Sequence, residues 1–299
     1  MYLDHWSLER APFDARPDSR FLLATAQHEL ALAAISYAAC EAGEPVLLRG
    51  EAGCGKTLLL RTLRRQLPRE QYDVAFVPEV ACSQVGLLER VAYHLARATG
   101  NTAPPAAADA SAAMNSILQQ AQDAEAGGRS TILMLDNWPA QAEASTLEEL
   151  RWLLSLDLEN CHLCTLMAGE GVCPDGQWPT WLVQRLLTSV QLGPLTAEQV
   201  PEYIAHRLRI ASGTAGNGQD RGELFSPEAS ALIAEWSRGV PRLVNRVAHL
   251  ALHVAYLDLA KRVEPDAVRR AIDRLALPDG AQSNTLAGAQ SSAEITGTT

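Results

Sequence analysis

Gly50-Glu51-Ala52-Gly53-Cys54-Gly55-Lys56-Thr57 reads as a phosphate-binding loop: two glycines with four residues between them, then lysine and threonine. Without side chains in the way, successive backbone N–H groups turn inward around phosphate oxygens, and the helix expected next adds its positive N-terminal end. Lys56 is placed to reach β- and γ-phosphates and Thr57 to offer its hydroxyl to Mg2+, while the stretch through Leu58 lines the nucleotide.

The flanks supply the setting such a loop needs. Pro45-Val46-Leu47-Leu48-Arg49 predicts a short buried strand running into it. Thr57 to Leu67 predicts a helix, with Leu58, Leu59, Leu60, Leu63 and Leu67 on a helical period and Pro68 as its stop. Lys56 and Lys261 are the two lysines of the chain, so arginine supplies the other 23 of its 25 basic residues. A compact ammonium fits between phosphates as a point charge where a planar guanidinium does not, which gives a reason for lysine at this position.

Farther along, Ser130-Thr131-Ile132-Leu133-Met134-Leu135-Asp136 is an apolar strand that delivers a carboxylate at its C-terminal end. In phosphate-loop enzymes such an Asp orients the Mg2+ shell, which makes Asp136 the second candidate metal residue beside Thr57.

Composition bounds the rest. At 299 residues, 47% hydrophobic and 20% charged, the chain holds a full core, with one large domain and a smaller one attached. No apolar run approaches the roughly 18 residues of a membrane span, and no signal peptide is expected from Met1-Tyr2-Leu3-Asp4-His5-Trp6. Six scattered cysteines suit reduced thiols in a cytoplasmic protein. A formal charge of −10 argues against a large nucleic-acid surface. Arg61, Arg64, Arg65 and Arg69 form the dense basic patch, which a solvated helix face explains equally well.

Read in order, a helix is expected over Ala26 to Glu41, packing through Leu30, Ala34 and Tyr37, with His28 near its start as a possible contact for a nucleotide base or a surface histidine. Tyr72 to Val77 reads as a strand, about Gln84 to Ala98 as a helix striped by Val85, Leu88, Val91 and Leu95, and Asn101 to Ala110 as a surface connection. Met114, Ile117, Leu118 and Ala121 mark another helix closed by Gly127-Gly128. Leu147 to Leu158 follows as a helix and Cys161 to Ala168 as a strand ending at Gly169-Glu170. Cys161 and Cys164 face opposite sides of such a strand and find no second ligand pair, so they read as core residues and not as a metal site. Cys54 lies at a helix N-terminus, where a thiol can be acidified and become redox-sensitive, but an ordinary thiol is the preferred reading.

Trp178 to Arg185 runs from a loop into a short helix, and Ser189 to Leu192 is the last strand. About five strands alternating with helices predict an α/β fold with a parallel sheet covered on both faces. From Thr196 the pattern turns helical, with segments at Thr196 to Ala211, after Ser226-Pro227-Glu228, from Gly239 to about Ala260, and from Glu264 to about Leu277; Ser212 to Gly222 reads as a flexible loop. The expected domains are an N-terminal segment over 1–45 packing on the nucleotide domain, that domain over 46–193, a small all-α lid over 194–278, and a disordered tail over 279–299.

Pro12-Phe13, Arg16-Pro17-Asp18-Ser19-Arg20-Phe21, the phosphate loop, Gln184-Arg185 before Leu192-Gly193-Pro194-Leu195, and Gly239-Val240-Pro241-Arg242-Leu243-Val244-Asn245 together resemble the AAA+ ATPases of the ExeA, or general secretion pathway protein A, type. The resemblance runs from residue 1 to about 275 and implies a P-loop NTPase with a helical lid. It matches Arg242 to the lid arginine called sensor 2 and Arg185 to an arginine acting on a neighbouring subunit's nucleotide. A guanidinium near the γ-phosphate offsets charge that develops during transfer.

One departure bears on turnover. Relatives typically carry Asp-Glu-Ala-Gln after the strand, the Glu polarising the attacking water, whereas this chain reads Asp136-Asn137-Trp138-Pro139-Ala140-Gln141. An amide cannot accept the water's proton, and losing a positioned base lowers a rate by about 10² to 10⁴. Glu143, Glu148 and Glu170 are substitutes that sequence alone does not place, and Gly169-Glu170 lacks the Asn or Thr many relatives use as a sensor.

The expectation is an ATP-binding AAA+ protein using ATP and Mg2+, hydrolysing slowly, forming a homo-oligomer and meeting an unknown protein partner. A hydrolysis-deficient nucleotide-gated switch is the alternative. A DNA-binding accessory role is disfavoured by the acidic balance and by the absence of a winged-helix extension past residue 275.

Overall fold

A computed structural model describes residues 2–80, 86–100, 109–139, 142–156, 162–170, 179–186, 188–213 and 224–275. Gln84, Val85, Ala140, Gln141, Cys161, Trp178, most of the 101–110 connection and of the 212–222 loop, and the 279–299 tail lie outside the described residues.

The described strands are β1 (Val46–Arg49), β2 (Tyr72–Val77), β3 (Ser130–Trp138), β4 (Leu163–Gly169) and β5 (Thr188–Gln191), in one parallel sheet of order β2-β3-β4-β1-β5. β1 lies between β4 and β5, pairing Arg49 with Gly169 on one side and Gln191 on the other. The C-terminal ends of β1, β3 and β4 therefore share one edge, where ligands of open α/β sheets bind.

A parallel sheet must be covered on both faces, which is why its central strands read as unbroken apolar runs. Val46, Leu48, Ile132, Met134, Leu166 and Ala168 pack against Ala31 and Ile35 of α2 (Ala26–Tyr37) and Leu59, Leu60 and Leu63 of α3 (Lys56–Gln66). Leu47, Leu133, Leu135 and Met167 face the opposite way, toward α4 (Leu87–Ala98), α5 (Ala110–Ala126) and α6 (Ala144–Ser155). Each such leucine fully buried contributes about 1.5–3 kcal/mol. The Glu149 carboxylate of α6 accepts from the backbone N–H of Leu88 at 2.9 Å, capping α4 from a distant part of the chain.

Contacts divide the chain into two units. One comprises Arg16–Leu195 with Val240–Arg242; the other comprises the described residues within Met1–Ala15, Thr196–Gly239 and Leu243–Thr299. The second is helical: α1 (Tyr2–His5), then α8 (Gln199–Ala211), α9 (Pro227–Ser237), α10 (Pro241–Leu257, its first residues counted with the sheet unit) and α11 (Pro265–Leu275), while the short α7 (Thr180–Val183) stays with the sheet. Ser226 caps α9, accepting from Ala229 N–H at 3.1 Å, and Pro227 occupies the first turn. Arg207, buried, donates to the carbonyls of Pro12 at 2.5 Å and Asp14 at 3.3 Å, so the N-terminal residues are held by this unit's own helix.

The face of α2 differs from expectation. Its buried stripe is His28, Ala31 and Ile35, continued by Ala38, while Leu30 and Tyr37 stand 73% and 62% exposed. The helix is apolar nearly all round, so periodicity does not select a face. Its last turn widens into a π-helical segment over Ala38–Ala42, closed by Gly43 in the left-handed region.

Candidate functional site

β1 ends at Arg49, the loop occupies residues 50–55, and α3 opens at Lys56. Gly53 and Gly55 hold φ of +91° and +105°, a region closed to most side chains. At Gly53 space is short as well: an added Cβ would meet the Cβ of Arg242 at 2.6 Å and Val240 at 3.2 Å. Arg242 N–H also donates to Gly53 O at 3.3 Å, so the first residues of α10 are joined to the loop through main chain.

Lys56 Nζ donates to Gly50 O at 2.7 Å and Glu51 O at 2.9 Å, curling over the loop. Burial pushes its amine below the ordinary lysine range, against the opposing pull of neighbours that include Glu170 and Asp136. Cys54 is fully buried (0% exposed), and burial with the nearby Glu51 raises its thiol above the usual range. The ordinary thiol preferred at this helix start agrees with that burial, Cys54 belonging to the same core cluster as Leu59 and Leu192.

Across the sheet edge, Thr57 Oγ1 donates to Asp136 Oδ2 at 2.8 Å. Asp136 Oδ1 accepts from Asn137 N–H at 3.0 Å. Burial nevertheless raises the Asp136 carboxyl, its hydrogen bonds and the charge of Lys56 opposing the shift. β3 runs two residues past Asp136 through a bulge: three steps from Leu135 to Trp138 match two from Met167 to Gly169, and Asn137 sits in it at φ 54°. Asn tolerates this left-handed conformation better than most residues.

A carboxyl raised in the folded state binds its proton more tightly folded than unfolded, so Asp136 lowers stability as pH climbs from the ordinary Asp range through its folded value. Asp136→Asn keeps the shape and both hydrogen-bond positions without the buried charge. The variant is expected to be more stable than native at neutral pH, by about 1 kcal/mol, with the gap closing as pH falls below about 4. Urea unfolding across pH checks this; a less stable variant at neutral pH would refute the reading.

Of the residues singled out from sequence, the structure brings Lys56, Thr57 and Asp136 together and attaches Arg242 through its backbone. Arg185 is placed elsewhere in the unit: its Nη1 donates to Leu154 O at 2.6 Å, at the C-terminal end of α6. His28, buried against Thr25 Oγ1 at 2.7 Å, has its Nε2 3.8 Å from where a Gly55 Cβ would stand, so it lies beside the loop, its imidazole held toward the neutral form by burial. Sequence reasoning put Gly53 and Arg242 at one site through the resemblance but not the backbone contact between them, and left Glu170 unplaced; the register sets Gly169, the residue before it, beside Arg49 and Trp138.

Comparison with known proteins agrees with this fold. Residues 41–172 match the family model described as AAA domain. General secretion pathway protein A of Aeromonas hydrophila is 26% identical over 267 residues, covering 86% of this chain and 45% of that protein, so the chain spans about half the length of its curated relative. Among solved structures, the Aeropyrum pernix ORC2 protein in ADPNP–ADP complexes superposes with TM-score 0.66 at 16% identity, over 89% of this chain and 71% of that one. The Thermotoga maritima RuvB Holliday junction branch migration motor gives TM-score 0.52 at 19% identity, over 86% and 71%. Among the described residues no helix is long and apolar enough to cross a membrane.

Proposed function

We propose that the chain is a P-loop AAA domain of the general secretion pathway protein A type that binds ATP with Mg2+ at the 50–57 loop and hydrolyses it slowly. The cycle would close the helical lid and drive assembly with itself or a protein partner, in the cytoplasm. The observation that carries the reading is the Thr57–Asp136 pair, 2.8 Å apart and on the same loop edge as Lys56.

The donor set fits the metal. Mg2+ takes oxygen ligands and keeps several waters, using one or two protein groups plus substrate phosphates. Thr57 and Asp136 offer a hydroxyl and a carboxylate at one point, and the raised, desolvated carboxyl of Asp136 is a site that a cation would relieve. When bound, Mg2+ would supply positive charge against the phosphate oxygens. Lys56 would leave the Gly50 and Glu51 carbonyls for the β- and γ-phosphates, and the loop N–H groups would cradle them. Arg242 would set its guanidinium toward the γ-phosphate and Arg185 would serve a neighbouring subunit's nucleotide.

A nucleotide-gated switch without turnover is the second reading, and Asn137 is the observation that favours it, since its amide accepts no proton. Titration calorimetry of the native protein with ATP and Mg2+, together with phosphate release at steady state, tests both. Binding with phosphate release supports the ATPase; binding without release supports the switch; absence of binding would refute both.

A further inference from the structure

Resting on the reading of this chain as an ATPase, we propose that the Glu170 carboxylate, at the end of β4, is the base that activates the attacking water in place of the side chain lacking at Asn137. Glu170 follows Gly169, which pairs with Arg49 of β1 on one side and Trp138 of β3 on the other. Carrying the register on by one residue brings Glu170 level with Gly50, the first residue of the phosphate loop. Neighbouring strands lie about 4.8 Å apart, so Glu170 is one strand from the loop and one strand from Asp136. The two strand ends are held tightly together: a Cβ added at Gly169 would meet Trp138 O at 2.5 Å.

A further observation supports the assignment. Glu170 is exposed, and among the described residues no hydrogen bond holds it elsewhere. Of the other carboxylates near the end of β3, Glu148 lies 4.0 Å from Arg151, and Glu143 is the N-cap residue of α6.

In the step, the water oxygen bonds to the γ-phosphorus as the bond from that phosphorus to the β,γ-bridging oxygen breaks. The electron pair of the broken bond leaves on ADP. The water's proton passes to Glu170, which returns it to solvent.

The test compares native protein, Glu170→Gln and Glu170→Gln/Asn137→Glu in single-turnover hydrolysis of ATP, with ATP affinity measured separately. Glu170→Gln is isosteric and exposed, so circular dichroism should match native. It is expected to lower the rate about 10²- to 10⁴-fold with affinity changed by less than about twofold. The double variant, which restores a carboxylate one strand away, is expected to recover part of the loss. Native-rate hydrolysis by Glu170→Gln would overturn the assignment and leave the ATPase standing. ATP binding by the native protein without turnover would overturn the assignment and favour the switch, whereas failure to bind ATP would overturn the parent reading itself.

Discussion

Lys56→Ala is expected to weaken ATP binding about 10²- to 10³-fold, the loss that follows from removing one partner of a desolvated charge pair, while the stability of the ligand-free protein stays within about 1 kcal/mol of native. The two halves of this expectation have different origins. Without nucleotide, Lys56 holds two carbonyls, Gly50 O at 2.7 Å and Glu51 O at 2.9 Å, but burial disfavours its charge. Removing the ammonium forfeits two hydrogen bonds and relieves that desolvation, so the terms offset. With triphosphate in the loop, no water or neighbouring side chain replaces a positive charge between the β- and γ-phosphates. Lys56→Arg should not restore binding, because the guanidinium is planar and wide where the loop offers a narrow space. Calorimetric titration and urea unfolding of the same samples separate the effects. Undiminished binding by Lys56→Ala would remove phosphate recognition from this loop, and a stability loss well above 1 kcal/mol would make the lysine a structural clip.

Gly50→Ala should have the largest effect on the fold. The added methyl would overlap the carbonyl oxygen of Leu192, with that residue's carbonyl carbon at 3.3 Å and its Cβ at 3.5 Å. A clash with a side chain can be relieved by a change of rotamer, whereas this one is with main chain. Leu192 N–H donates to Arg49 O at 2.7 Å immediately beside the collision, the last link between β1 and β5. Relief therefore requires β5 to move away from the sheet, taking Leu192, which is fully buried, out of the core. A destabilisation of about 3 kcal/mol is expected, at the upper end for overpacking, lowering the melting temperature by roughly 6–12 °C for a unit of this size. A melting temperature within about 2 °C of native would mean that the Gly50–Leu192 approach is not tight in solution.

The sheet and the phosphate loop were legible because local pattern and local structure coincide there. Val46 to Leu48 is an unbroken apolar run, Tyr72 to Val77 has its expected limits, and the glycines of the loop announce backbone that only they readily adopt. Thr57 and Asp136, 79 positions apart in the chain, were paired in advance because strand end and helix start each carry a signature. What escaped was set by contacts that no short window contains. Ala26 to Tyr37 offers apolar residues on every side, so choosing Leu30 and Tyr37 over Ala31 and Ile35 needed the sheet itself. For Cys54, the helix start left an activated thiol open as the lesser reading, and only its neighbours in space show it buried. The approach of Arg242 to Gly53 joins positions nearly 190 residues apart through a backbone hydrogen bond, which leaves no mark in side-chain chemistry. Glu170 was visible as a carboxylate, but its level relative to Gly50 follows from the register of β1 with β4, strands more than 110 residues apart in the chain.

The left-handed backbone at Asn137 also bears on how this sequence can change over generations. In that conformation, asparagine and glycine are the residues that fit with least strain, whereas glutamate there carries a conformational penalty on the order of 1 kcal/mol whatever its chemistry. Drift at position 137 therefore favours the amide, and a single substitution back to glutamate meets resistance from the bulge before any catalytic advantage is felt. The strand end acts as a ratchet in sequence space: a lineage that acquired this bulge would more readily recruit a carboxylate from a neighbouring strand than reinstate one here.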